Sequence, residues 1–129
     1  MITVTPIYLA LAVVLYSIMT FIIIANRNKR RISIGDGAQQ DFSRLIRGHA
    51  NFAEFAPITL LAIVIAELSG APATVLHICG IALIIGRSLH AYCFLCTPSG
   101  LKYRVSGMVL TLLSLWMSTG AAVWMIFVH

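Results

Sequence analysis

ITVTPIYLALAVVLYSIMTFIIIA, residues 2–25, contains no charged side chain. An α-helix rises about 1.5 Å per residue, so a run of this length spans a hydrocarbon core of about 30 Å. Lipid offers the backbone no hydrogen-bond partners, so a segment that crosses it must be helical. The N-terminus has no basic segment, and no A-x-A-like site closes the run. The stretch is therefore expected to be a retained span and not a detachable signal peptide.

Three further apolar runs follow, at Phe52–Leu68, Thr74–Leu95 and Val105–Val128. The second is short alone, but extended back to Phe42 it forms a helix that protrudes beyond the bilayer on one side. The breaks between runs carry their own punctuation. Gly35 and Gly37 lie in the polar stretch Asn26–Gln40. Ser69-Gly70-Ala71-Pro72 reads as a tight turn, with a glycine stop and a proline opening the next helix. Thr97-Pro98-Ser99-Gly100 forms the third connection. The expected fold is one all-α domain over residues 1–129, an up-down-up-down bundle of four transmembrane helices at about 2–26, 42–69, 73–96 and 103–128.

Composition agrees. The chain is 60% hydrophobic and only 10% charged, against about 25% charged in a soluble domain. The net charge of +5 could suggest nucleic acid, but the basic residues flank apolar spans, so no nucleic-acid partner is expected. Lys and Arg concentrate in and beside the first and third connections, while the N-terminus, the 69–73 turn and the C-terminus lack them. The positive-inside rule then puts both basic loops in the cytoplasm and both termini outside.

Several ionisable residues sit where a span should be apolar. Each costs about 2.5–3.5 kcal/mol at a helix centre on insertion scales, which makes them functional candidates. Arg47, Asn51 and Glu54 stand at i, i+4 and i+7, within an arc of about 60° on one helix face. Arg87 and His90 share a face of the third helix, and Arg104 opens the fourth at the same level. Snorkelling arginines, with Glu54 paired to Arg47, are the plainest explanation. Interfacial anchors, however, need neither align on one face nor bring an amide and a carboxylate with them. A polar pocket between helices accounts for the alignment. Arginines clamp carboxylates bidentately, and Glu54 can take an ammonium group. The residues thus suit an amphiphilic anionic ligand.

The segment Phe42-Ser-Arg44-Leu-Ile-Arg47-Gly-His49-Ala-Asn51-Phe-Ala-Glu54-Phe55-Ala-Pro57 resembles the signature of the MAPEG family, membrane-associated proteins of eicosanoid and glutathione metabolism. The shared pattern is R-x-x-x-N-x-x-E-x-x-P, preceded by F-x-R. The four helices, the basic first loop, the pair Arg87 and His90, and Arg104 extend the resemblance along the chain. It implies a homotrimer of four-helix subunits, with glutathione as co-substrate between protomers and hydrophobic electrophiles arriving through the lipid bilayer. It implies glutathione contacts from Arg27, Arg47, Asn51 and Glu54, with His49, Arg87, His90, Tyr92 and Phe94 around them, and a thiolate-stabilising role for Arg104. Two departures stand out. Phe55 and Phe94 occupy places where other members carry a hydroxyl, and Tyr92 points roughly 160° away from His90 at about 100° per residue.

The chemistry fits that implication. Glutathione carries two carboxylates, an ammonium and a thiol, and only the thiolate is nucleophilic. Arg104 cannot lose its proton, so it can stabilise the thiolate without acting as a base.

Other residues read as structural. Cys93 and Cys96 form C-x-x-C without a second pair, so no metal site is expected. Cys79 reads as packing, and Glu67 and His77 as interfacial. Gly80, Gly86, Gly107 and Gly120 are expected to permit close helix approach. Two other classes compete with the enzyme. One is a lipid- or glutathione-binding scaffold without catalysis. The other is a small multidrug exporter, which needs an embedded carboxylate that residues 1–26 lack.

Overall fold

The computed structural model describes residues 1–97 and 100–128. Four helices follow in chain order: α1 Thr5–Arg30, α2 Gln40–Leu68, α3 Ala73–Cys96 and α4 Leu101–Val128. Among the described residues there is no β-strand. All four helices are long and apolar enough to cross a membrane. Of the third connection, Pro98 and Ser99 lie outside the described residues.

The helices alternate in direction. At one end the start of α1 meets the end of α2 through Glu67, and Tyr8 reaches His77 at the start of α3. At the other, Arg44 near the start of α2 donates to the Thr97 carbonyl just past α3. α2 and α3 form the middle of the bundle. α1 packs on both along one flank and α4 on both along the other.

Helix ends depart from expectation in four places. α1 begins at Thr5 and not at residue 2, because Glu67 takes over its first N–H groups. Its carboxylate accepts from the amides of Val4 at 2.7 Å and Thr5 at 2.8 Å, and also from Thr3. Those donors have no partner within the helix, and a negative charge at that end suits the helix dipole. α1 then continues to Arg30, past the expected stop near residue 26. The basic residues Arg27, Lys29 and Arg30 favour its last turn, and Arg31 ends it with φ of 55°. α2 and α4 each start two residues earlier than expected.

The first connection is correspondingly shorter, residues 31–39, and is held from both sides. Arg27 donates to the carbonyls of Ser33 and Gly35, at 3.3 and 3.1 Å. Arg30 pairs with Asp41 and also reaches Gln39. Both guanidinium groups lie over the fully buried Phe42 ring, at 5.4 and 5.3 Å from its centre. Asp36 accepts the Ala38 amide at 3.0 Å, and that bond lowers its carboxyl pKa. Between α2 and α3, Ala71 donates to Ala66 and Gly70 to Glu67, with Gly70 at φ of 89°. This is the paired bonding that a glycine stop provides.

α3 and α4 share the most extensive interface. A methyl group on Gly107 would stand 2.5 Å from the Gly86 carbonyl oxygen and 2.8 Å from the His90 backbone nitrogen. The backbones approach this closely only because neither position has a side chain. Ser114 ties the same pair together by donating to the Cys79 carbonyl at 2.7 Å. Gly80 accommodates the Tyr8 ring. Gly120 does not fit the expectation: a methyl group there would meet none of the described residues of this chain within 4 Å, so it makes no close helix approach within the bundle.

Candidate functional site

A groove of about 1010 Å³ is cut into the bundle. It lies at the end of the bundle where α2 begins and α3 ends. α2 and α4 form its walls, and His90, Cys93 and Phe94 of α3 its floor. Three arrangements of the sequence put it there. On α2, Arg44, Arg47, Asn51 and Glu54 follow one another at three- and four-residue steps and so share a face. On α4, Arg104, Met108 and Leu112 repeat every four residues along the opposite wall. On α3, Gly48 of α2 leaves room for the Phe94 ring, whose Cγ would lie 2.6 Å from an added methyl group.

Charge is distributed unevenly around this groove. Arg44, Arg47 and Arg104 contribute three cations and Glu54 one anion. Among the described residues the one ion pair is Arg30–Asp41, away from the groove. Glu54 and Arg47 therefore do not neutralise one another, as interfacial anchoring would have them do. The groove offers an excess of guanidinium groups, one free carboxylate and a carboxamide.

Six of the residues singled out in the sequence meet here: Arg47, Asn51, Glu54, His90, Phe94 and Arg104. The His90 and Phe94 rings lie against each other, with centres 4.9 Å apart. Four others stand elsewhere. Arg27 is held by the first connection. His49 faces α1, where it bonds Thr20 at 2.9 Å and stacks on Tyr16. Tyr92 is 46% exposed and packs edge-on against Tyr103.

Arg87 is completely buried behind the groove. It donates from Nε to the Thr111 hydroxyl and from Nη1 to the Asn51 side-chain oxygen, both at 2.9 Å. Met108 sulfur lies 3.7 Å from its third nitrogen, and the Phe55 ring is 5.9 Å away. This cation thus contacts α2 and α4 at once through neutral partners.

Arg44, Cys93 and Met108 line the groove although the sequence does not mark them as site residues: Arg44 enters only as part of the F-x-R pattern and Cys93 only as part of C-x-x-C. Arg44 was accessible to reasoning, being three residues before Arg47 on the same face. Cys93 and Met108 become recognisable only once the α3 and α4 faces are known. A second groove, of about 650 Å³ and lined almost wholly by apolar side chains, runs between α1 and α2 past Tyr16, Phe52 and Pro57. Among the described residues no cluster of His, Cys, Asp and Glu could hold a metal ion.

Comparison with known proteins returns one family. The model described as "MAPEG family" matches residues 5–124. Inner membrane protein YecN of Escherichia coli, found in two strains, is 32% identical over 121 residues, covering 94% of this chain and 91% of the relative.

Proposed function

The chain belongs to the MAPEG family and is a multi-pass integral membrane protein, and from that premise we propose that its groove binds glutathione for reaction with lipophilic electrophiles. The observation that carries this reading is the charge inventory of the groove. Three guanidinium groups without carboxylate partners among the described residues surround one free carboxylate. Glutathione is the matching inventory: two carboxylates and one ammonium.

In this reading Arg44 and Arg47 take carboxylate groups and Glu54 takes the ammonium. Arg104 stands on the opposite wall, next to the space the thiol occupies. Its permanent charge lowers the thiol pKa, and partial desolvation strengthens that effect. The thiolate then attacks an electrophilic carbon, whose leaving group departs with the bonding pair, or attacks the terminal oxygen of a hydroperoxide, where the O–O bond breaks, the sulfur is oxidised to the sulfenic acid and the departing alkoxide takes a proton to become the alcohol. The electrophile arrives from the hydrocarbon. The assembly is a homotrimer, in which a neighbouring protomer closes the open side of the groove and brings its own Arg27 toward it. The basic loops face the cytoplasm and both termini face out. The compartment is an inner membrane, as for the relative so named.

A second reading, a glutathione- or lipid-binding scaffold, has one specific observation in its favour. Phe55 and Phe94 bring no hydroxyl to the site, and Tyr92 is turned toward Tyr103.

Arg104→Leu separates the two. If Arg104 stabilises the thiolate, binding persists, turnover of a model electrophile falls, and raising the pH recovers part of the rate. Arg104→Lys falls between, since an ammonium keeps the charge but loses the planar fork. A wild-type protein that binds glutathione with no thiolate absorbance and no turnover establishes the scaffold instead.

A further inference from the structure

Arg87 has five N–H donors and no acceptor. The Asn51 group it touches at 2.9 Å must therefore be the carboxamide oxygen, whichever way the amide is drawn. The Thr111 hydroxyl donates to the Gly107 carbonyl at 2.8 Å. It too can only accept from Arg87. Both side-chain oxygens at 2.9 Å from this cation are thus oriented by it, and the orientation of the Asn51 amide follows. With its oxygen turned inward, Asn51 presents its NH₂ group outward, and Nδ2 has no hydrogen-bond partner among the described residues. Asn51 itself lines the groove between Arg47 and Glu54.

We infer that Arg87 is a positioning residue that locks Asn51 with its amide N–H groups facing the groove, making this part of the wall a site for a ligand carboxylate. The inference rests on the reading of the groove as a glutathione site and adds a specificity device to it. A free carboxamide can rotate to satisfy either a donor or an acceptor. Asn51 cannot, because turning its NH₂ inward would set donor against donor and leave the buried Nη1 only the Asn51 main-chain carbonyl, at 3.5 Å. A buried cationic donor short of a good acceptor is costly in a water-poor setting. The wall therefore favours a carboxylate, whose charged oxygens accept strongly, over the corresponding ester, whose neutral carbonyl oxygen is a weaker acceptor.

Asn51→Asp tests this on the full-length protein in detergent. An aspartate keeps an oxygen for Arg87, so thermal melting is retained, but it turns an acceptor toward the groove. Glutathione affinity is expected to fall roughly 10- to 100-fold, the effect of losing a charge-assisted hydrogen bond. The preference for glutathione over its diethyl ester narrows in the same variant. Asn51→Leu removes the oxygen altogether, so it lowers both melting and affinity. Asn51→Asp that binds glutathione as tightly as wild type, with the same preference over the ester, overturns the inference. Equal loss of melting in both variants also overturns it, since Asn51 is then only structural. Failure of the wild-type protein to bind glutathione is a different result: it removes the glutathione reading itself, and this inference with it.

Discussion

Gly107 of α4 rests directly on the Gly86 carbonyl of α3, so closely that a methyl group on Gly107 would lie 2.5 Å from that oxygen. The crossing fixes what stands on either side of it. Arg87 follows Gly86 into the buried layer, and Arg104 precedes Gly107 by one turn, on the groove wall. The obstacle to a larger residue is backbone, which cannot swing aside as a side chain would. Gly107→Ala is therefore expected to push α4 outward. Overpacking of this kind costs about 1–3 kcal/mol. Lower thermal melting together with weaker glutathione binding is the expected outcome, and unchanged melting contradicts the contact.

Glu67 should behave as a cap and not as an interfacial anchor. Loss of an N-terminal cap typically costs about 0.5–2 kcal/mol. Glu67→Ala is expected to speed hydrogen exchange at Thr3, Val4 and Thr5, whose amides bond its carboxylate. Exchange around the Arg47 face, at the other end of the bundle, should not change. Uniform acceleration would mean that Glu67 supports the whole fold.

Arg47→Ala and Glu54→Ala each remove one charge-assisted contact in the proposed complex. Such a contact contributes about 1.5–3 kcal/mol. Titration calorimetry should show both variants binding glutathione more weakly, while melting changes little because neither side chain has an ion-pair partner among the described residues. Unchanged affinity in both would make the α2 face structural.

The proposed trimer makes its own prediction. Cross-linking in mild detergent should trap three chains if, as proposed, a neighbour closes the groove. A monomer or dimer that still binds glutathione would show that one chain holds a complete site.

Legibility in the sequence differed sharply between fold and site. The bilayer imposes one length and one regular structure, so four apolar runs were enough to name four helices. The α2 face was equally open to inspection, because Arg47, Asn51 and Glu54 are neighbours on a single helix. Periodicity tells which residues share a face but not which helix that face meets. That is why His49, one residue from Gly48 and two from Asn51, turns to Tyr16 on α1, and why Arg87 lies behind Asn51 and not in the groove. The α1 start escaped for the same reason: its cap, Glu67, is 62 positions away from Thr5. Arg27 had a local partner in the carbonyls of residues 33 and 35, which only the folded path of the connection reveals.

Glutathione binding to the wild-type protein is the most direct test of the central claim. Titration of purified protein in detergent, followed by calorimetry and by ultraviolet absorbance of the thiolate, reads occupancy and ionisation in one experiment. Saturable binding is expected, with thiolate absorbance appearing below the pH at which free glutathione, whose thiol pKa lies near or above the cysteine value of about 8.5, begins to ionise. No saturable binding, in a preparation whose melting shows it to be folded, would contradict that claim.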